Sequence, residues 1–183
     1  MTMELIRLSA RSVRDLLKER QVSPLELLDA LEHRISEVDS AVNALPTLCF
    51  ERARQRARER DLSDLPLAGI PVAIKDLLPV SGVRTTFGSM AYRDHIPEVS
   101  DLLVERIEAA GGIVYAKSNT PEFGAGANTF NDVFGFTRNP WNTALSAAGS
   151  SGGSAVALAT GMAWLATGSD LGGSLRNTAS FCS

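Results

Sequence analysis

Two short segments concentrate the residues of this chain that could do chemistry. Residues 147–154 read AAGSSGGS, and about two dozen residues on, 168–174 read GSDLGGS. A serine hydroxyl is a weak nucleophile until a base takes its proton. Glycine lets backbone N–H groups close on another atom, and a small-residue loop ahead of a helix aims such donors at developing negative charge. Serine chemistry on these loops needs a base. The chain has only two histidines. His33 lies in EHRISE and His95 in YRDHIPE, polar contexts that place both at the surface. Lys75 is the better candidate. It ends the apolar run IPVAI, where lost solvation favours the neutral amine, and serine–lysine pairs are known variants of the serine triad. Alternatives stay open at this level. Lys75 could reach to water along its stem, and Ser151 and Ser154 could bond a helix N-terminus. Asp170 could close a turn, and Arg176 could sit in a structural ion pair.

The elements that must hold these residues follow from pattern. Ser23-Pro24-Leu25-Glu26 is a capping box with proline at the first helical position. Leu28, Leu31, Ile35 and Val38 continue it at helical spacing. An earlier helix is predicted over Ala10–Glu19. After Pro66 the pattern changes. Ile70–Ile74 reads as a buried strand leading to Lys75. Ser100 is read as the cap of a helix over 101–110, stopped by Gly111-Gly112. Ile113–Ala116 reads as a second buried strand, Ala155–Gly161 as a helix and Trp164–Thr167 as a third strand. Alternating strands and helices predict an α/β fold. Loops at the strand ends of such folds are where sites form. The chain is read as one domain, with a helical segment over about 1–65 and an α/β core over about 66–183.

Composition removes several function classes. With 183 residues, 44% hydrophobic and a net charge of −3, the chain can bury a core. It has no apolar run long enough for a membrane span and no apolar segment of a secretory signal near its start. Cys49 and Cys182 make neither a disulfide framework nor a metal site, so a reducing cytoplasm is expected. The run ERARQRARER spreads its arginines around a helix instead of along one stripe. It is read as a solvated helix with Glu–Arg pairs, not a nucleic-acid surface. The sequence ends LRNTASFCS, with Phe181 and Cys182 of core type, and the fold is expected to be incomplete at its C-terminus.

These motifs, in this order, resemble the amidase signature family of serine hydrolases. The resemblance rests on GIPVAIKDLL around Lys75, TTFGS at 85–89, GGIVYAKSNTPEF at 111–123 and TRNPWN at 137–142. It continues through GSSGGSAVALATG and GSDLGGSLR, with SPLELLDALEHRI upstream. It implies a mixed β-sheet core flanked by helices and a Ser–cis-Ser–Lys triad. Residue by residue, Lys75 matches the base, Ser150 the bridging serine after a cis peptide from Gly149, and Ser174 the nucleophile. The backbone N–H groups of Leu171, Gly172, Gly173 and Ser174 match the oxyanion hole. Gly149, Ser151, Asp170 and Arg176 match supporting positions. Ala148, Thr178 and Ser183 depart from the commonest pattern, which has glycine, proline and glycine there. The resemblance implies hydrolysis of a small-molecule carboxylic amide through an acyl-enzyme, with no metal or organic cofactor. It leaves a homodimer, or a companion carrying the rest of the fold, as partners. Two other readings compete: the amidase subunit of a tRNA-dependent amidotransferase, and a truncated fragment without turnover.

Overall fold

The computed structural model describes residues 2–183, with side chains from Glu4 onward. The chain opens with three helices, α1 (Thr2–Leu5), α2 (Ala10–Lys18) and α3 (Pro24–Val42). The predicted capping box at α3 is formed: Glu26 N–H donates to Ser23 Oγ at 3.2 Å, and Ser23 N–H to Glu26 Oε2 at 2.8 Å. Leu27, Leu28, Leu31 and Ile35 then bury one face of α3. Asn43 ends the helix in the left-handed region at φ 54°, a conformation its short polar side chain tolerates better than most.

Strand β1 (Thr47–Leu48) and helix α4 (Phe50–Glu59) lead to β2 (Pro71–Lys75), α5 (Leu102–Ala109) and β3 (Ile113–Ser118). A hairpin of β4 (Phe130–Asn131) and β5 (Gly135–Phe136) follows, then α6 (Gly152–Ala159), β6 (Leu165–Ala166) and α7 (Arg176–Cys182). The main sheet has the order β1-β3-β2-β6. β2 runs parallel to β3 and β6, and β1 runs antiparallel to β3. The sheet is therefore mixed, as the resemblance implied. β2 and β3 are buried along their whole length, which is why they read as continuous apolar runs instead of alternating ones. The arginine run behaves as a solvated helix. Arg54 of α4 reaches Asp29 and Glu32 on α3, and Arg52 reaches Glu108 on α5.

Three readings need correction. The cap of α5 is Asp101, whose carboxylate accepts from Leu103 N–H at 2.8 Å. Ser100 Oγ instead accepts from Ser81 N–H across the loop. A carboxylate at a helix N-terminus gains from the helix dipole as well as the hydrogen bond, and the flanking serine is freed for another partner. Helix α6 begins at Gly152, three residues before the expected start. Its glycines are helix and not loop, because a Cβ on Gly153 would collide with the backbone of Ala44 and Asn119. Phe181 is 54% exposed, whereas Cys182 is buried at 2%; on α7 the two neighbours face opposite ways. Among the described residues no helix is long and apolar enough to cross a membrane.

Because the α3 capping box satisfies two otherwise orphaned N–H groups, Ser23→Ala is expected to lower stability by about 1 kcal/mol. Urea unfolding followed by far-UV circular dichroism checks this. An unchanged midpoint would show that the box does not hold this helix end.

Candidate active site

Successive residues of a strand point to opposite faces of the sheet, and that alternation sorts the polar residues at the ends of β2 and β3. In their parallel register Lys75 pairs with Ser118, and Ile74 with Lys117. Lys75 and Ser118 face helix α6. Lys117 points to the other face, where Asp76 also turns.

On the α6 face the Lys75 amine is surrounded by hydroxyls. Its Nζ lies 2.7 Å from Ser150 Oγ, 2.9 Å from Ser151 Oγ and 3.0 Å from Ser169 Oγ. Lys75 is only 1% exposed. Burial pushes its pKa down from 10.5 to about 8, against the opposing pull of the Asp170 carboxylate. The same face is stitched together below the amine. Ser118 Oγ and Ser154 Oγ are 2.6 Å apart, Ser154 Oγ donates to Thr167 O at 2.7 Å, and Lys75 N–H donates to Thr167 Oγ1 at 2.8 Å.

The turn that presents Ser150 is held from behind. Thr129 Oγ1 donates to Ala148 O at 2.8 Å and accepts from Gly152 N–H at 3.1 Å, while Ser146 Oγ accepts from Ala148 N–H at 3.0 Å. The Gly149–Ser150 peptide is cis. Gly149 lies against the backbone of Asn128 and Gly126, where a Cβ would stand 2.9–3.0 Å from their atoms. Ala148 sits at φ +57°, which gives a physical reason for the glycine more usual there.

The second loop is organised by Asp170. Its carboxylate accepts from the N–H groups of Gly173 at 2.6 Å and of Leu175 and Arg176 at 3.2 Å each. Arg176 adds Nε and Nη2, each at 3.0 Å. The Arg176 guanidinium holds this carboxyl far below the usual range, and the backbone donors add to it. Ser151 N–H donates to Ser174 O at 3.3 Å, tying the two serine loops together.

The structure thus brings Lys75, Ser150 and Ser151 into direct contact. It sets Ser174 beside them through its backbone, with no hydrogen bond from its Oγ among the described residues. Of the four predicted backbone donors, Gly173 N–H is occupied by Asp170, while those of Leu171, Gly172 and Ser174 carry no hydrogen bond among the described residues. His33 and His95 are both exposed and lie outside this cluster. Sequence reasoning missed Ser169 and the buried Asp76–Lys117 pair. The signal for each was position. Ser169 follows β6 as Lys75 ends β2, and parallel neighbours deliver their ends to the same edge.

Residues 26–183 match the Amidase family along most of the chain. The chain belongs to the amidase family. Among curated proteins, this amidase chain is 43% identical over 180 residues to a glutamyl-tRNA(Gln) amidotransferase subunit of Methylacidiphilum infernorum, covering 98% of the chain and 36% of that relative. Among solved structures it superposes on a 6-aminohexanoate cyclic dimer hydrolase with TM-score 0.90 at 33% identity, covering 97% of the chain and 37% of the other. A bacterial aryl acylamidase of the amidase signature enzymes matches with TM-score 0.87 at 32% identity, over 94% and 37%. The amidase chain therefore spans just over a third of the length of the relatives it matches.

An L-residue in the left-handed region, where Ala148 sits, costs roughly 1–2 kcal/mol, partly offset by the greater backbone entropy that glycine loses on folding. Ala148→Gly is expected to raise stability by roughly 0.5–1 kcal/mol in urea unfolding. A loss would mean that the Ala148 methyl packs more favourably than its backbone is strained.

Proposed function

We propose that this amidase-family chain carries an acyl-transfer site for small carboxylic amides, with Lys75 as base, Ser150 as relay and Ser174 as nucleophile. Residues 66–183 are its catalytic core and residues 1–65 a helical segment packed on it. One observation carries the reading: an amine buried among three hydroxyls, with no carboxylate in contact among the described residues. Such an amine is neutral in part near neutral pH and has hydroxyl protons to accept.

In the proposed cycle Lys75 Nζ accepts the Ser150 proton as Ser150 Oγ takes that of Ser174. Ser174 Oγ bonds to the amide carbon, and the carbonyl oxygen gains the negative charge. The free N–H groups of Leu171, Gly172 and Ser174 are the donors for that oxygen. Gly173, a fourth donor by resemblance, is spent on shaping the loop through Asp170. The relay then returns a proton to the nitrogen, the C–N bond breaks and the amine or ammonia leaves. Water attacks the resulting ester, gives its proton to the same relay and frees Ser174. Losing one oxyanion donor typically raises the barrier by about 2.7–4 kcal/mol. The preference of this site for neutral Lys75 comes from burial first, and the N-terminus of α6 beside it adds a partial positive charge.

A second reading shares the acyl-enzyme and differs in where the nitrogen goes. It is favoured by the 43% identity to an amidotransferase subunit. In that reading the ammonia passes to a partner protein. Turnover that appears only with partner subunits would select it.

A fluorophosphonate probe on the purified chain tests the site. Mass mapping is expected to place the adduct on Ser174, and Ser174→Ala to abolish it. Labelling should rise with pH through a midpoint near 8, where Lys75 loses its proton; at pH 7 about a tenth of the lysine is neutral. Lys75→Met is expected to slow labelling roughly a hundredfold or more. Absence of an adduct, or one on another serine, contradicts the assignment.

A further inference from the structure

Two lysines end adjacent strands, and the fold treats them in opposite ways. Lys75 receives only hydroxyls. Lys117, fully buried on the other face, receives a carboxylate: its Nζ lies 2.9 Å from Asp76 Oδ1, 2.8 Å from Thr85 Oγ1 and 2.9 Å from Leu78 O. These three acceptors match the three protons of an ammonium. Burial pulls the Lys117 pKa down and Asp76 pulls it back up. The second Asp76 oxygen accepts from Thr86 N–H at 3.0 Å and Thr86 Oγ at 2.6 Å. Every polar atom of the pair is thus engaged, and both side chains are at most 1% exposed.

Asp76 is the residue next to Lys75 in the chain. A lone carboxylate there, in a poorly screened interior, would favour the protonated form of Lys75. The other charged groups around the amine are few. Asp170 faces it from the second loop and is itself neutralised by Arg176. Cys49, from the segment before α4, adjoins Lys117 and not Lys75. Ser150, Ser151 and Ser169 are uncharged. We propose that Asp76 and Lys117 form a positioning pair for the reaction, in which Lys117 cancels the carboxylate beside Lys75 and so leaves the amine on the opposite face free to accept a proton. This rests on the reading of Lys75 as the base. The pair acts through Lys75 and touches no reacting atom.

The proposal predicts opposite shifts from its two halves, which general structural damage would not produce. Lys117→Met leaves the carboxylate and is expected to raise the Lys75 titration midpoint by about one pH unit, with about tenfold slower Ser174 labelling at pH 7. Asp76→Asn leaves the cation and is expected to move the midpoint down. The double variant Asp76→Asn/Lys117→Met removes both charges and is expected to titrate as the unaltered protein does. The Lys75 midpoint is read from its side-chain carbon resonance by NMR in the full chain, assigned with Lys75→Met, with a thermal melt to confirm folding. A single folded variant suffices for a decision: an unmoved midpoint in either single variant, or a shifted one in the double, overturns the proposal. Should Lys75 titrate as expected but no adduct form on Ser174, the reaction fails and the charge-cancelling role stands on the NMR result alone.

Discussion

The Lys75 amine lies out of water, and its only hydrogen-bonding partners among the described residues are hydroxyls. A buried ammonium normally keeps its charge by gaining a carboxylate, and Lys117 on the other side of the same sheet does so. Withholding that partner from Lys75 transfers the cost of burial to its proton. Much of the surrounding structure follows from keeping this arrangement intact. β2 must be buried to exclude water, α6 must pack closely on it, and the serine loops must approach within hydrogen-bond reach.

Close approach explains the small residues. Gly153 lets α6 settle on the backbone of Ala44 and Asn119, and Gly149 lets the Ser150 turn rest on Asn128. A side chain at either position would lift the hydroxyls away from the amine. The second loop solves a different problem. It has to expose N–H groups without collapsing, and Asp170 does this by gathering three of its neighbours' N–H groups and the Arg176 guanidinium. One predicted donor, Gly173, is used up in that scaffold, and the N–H groups around it are left open.

The elements nearest the site were legible because their signals are local. The capping box at Ser23 and the apolar runs of β2 and β3 each sit in a few consecutive residues, and so did the position of Lys75 at a strand end. Boundaries were less legible where two readings of a residue compete. Ser100 and Asp101 both suit a helix cap, and the carboxylate wins. Gly152 and Gly153 look like loop until the close packing of α6 against neighbouring backbone is known. The Asp76–Lys117 pair and the Ser169 contact join residues 41 and 94 positions apart. Nothing in the local pattern marks such contacts; they appear only once parallel strands deliver their ends to one edge. The roles of Ser150 and Ser174 came from resemblance and not from spacing.

The claim on which this account turns is that Lys75 is a partly neutral amine near neutral pH. NMR titration of the Lys75 side-chain carbon in the unaltered protein tests it most directly. The account predicts a midpoint near 8. A midpoint at the ordinary lysine value of 10.5 would contradict it, because the amine would then be a charged, structural group with no capacity to take a proton from Ser150.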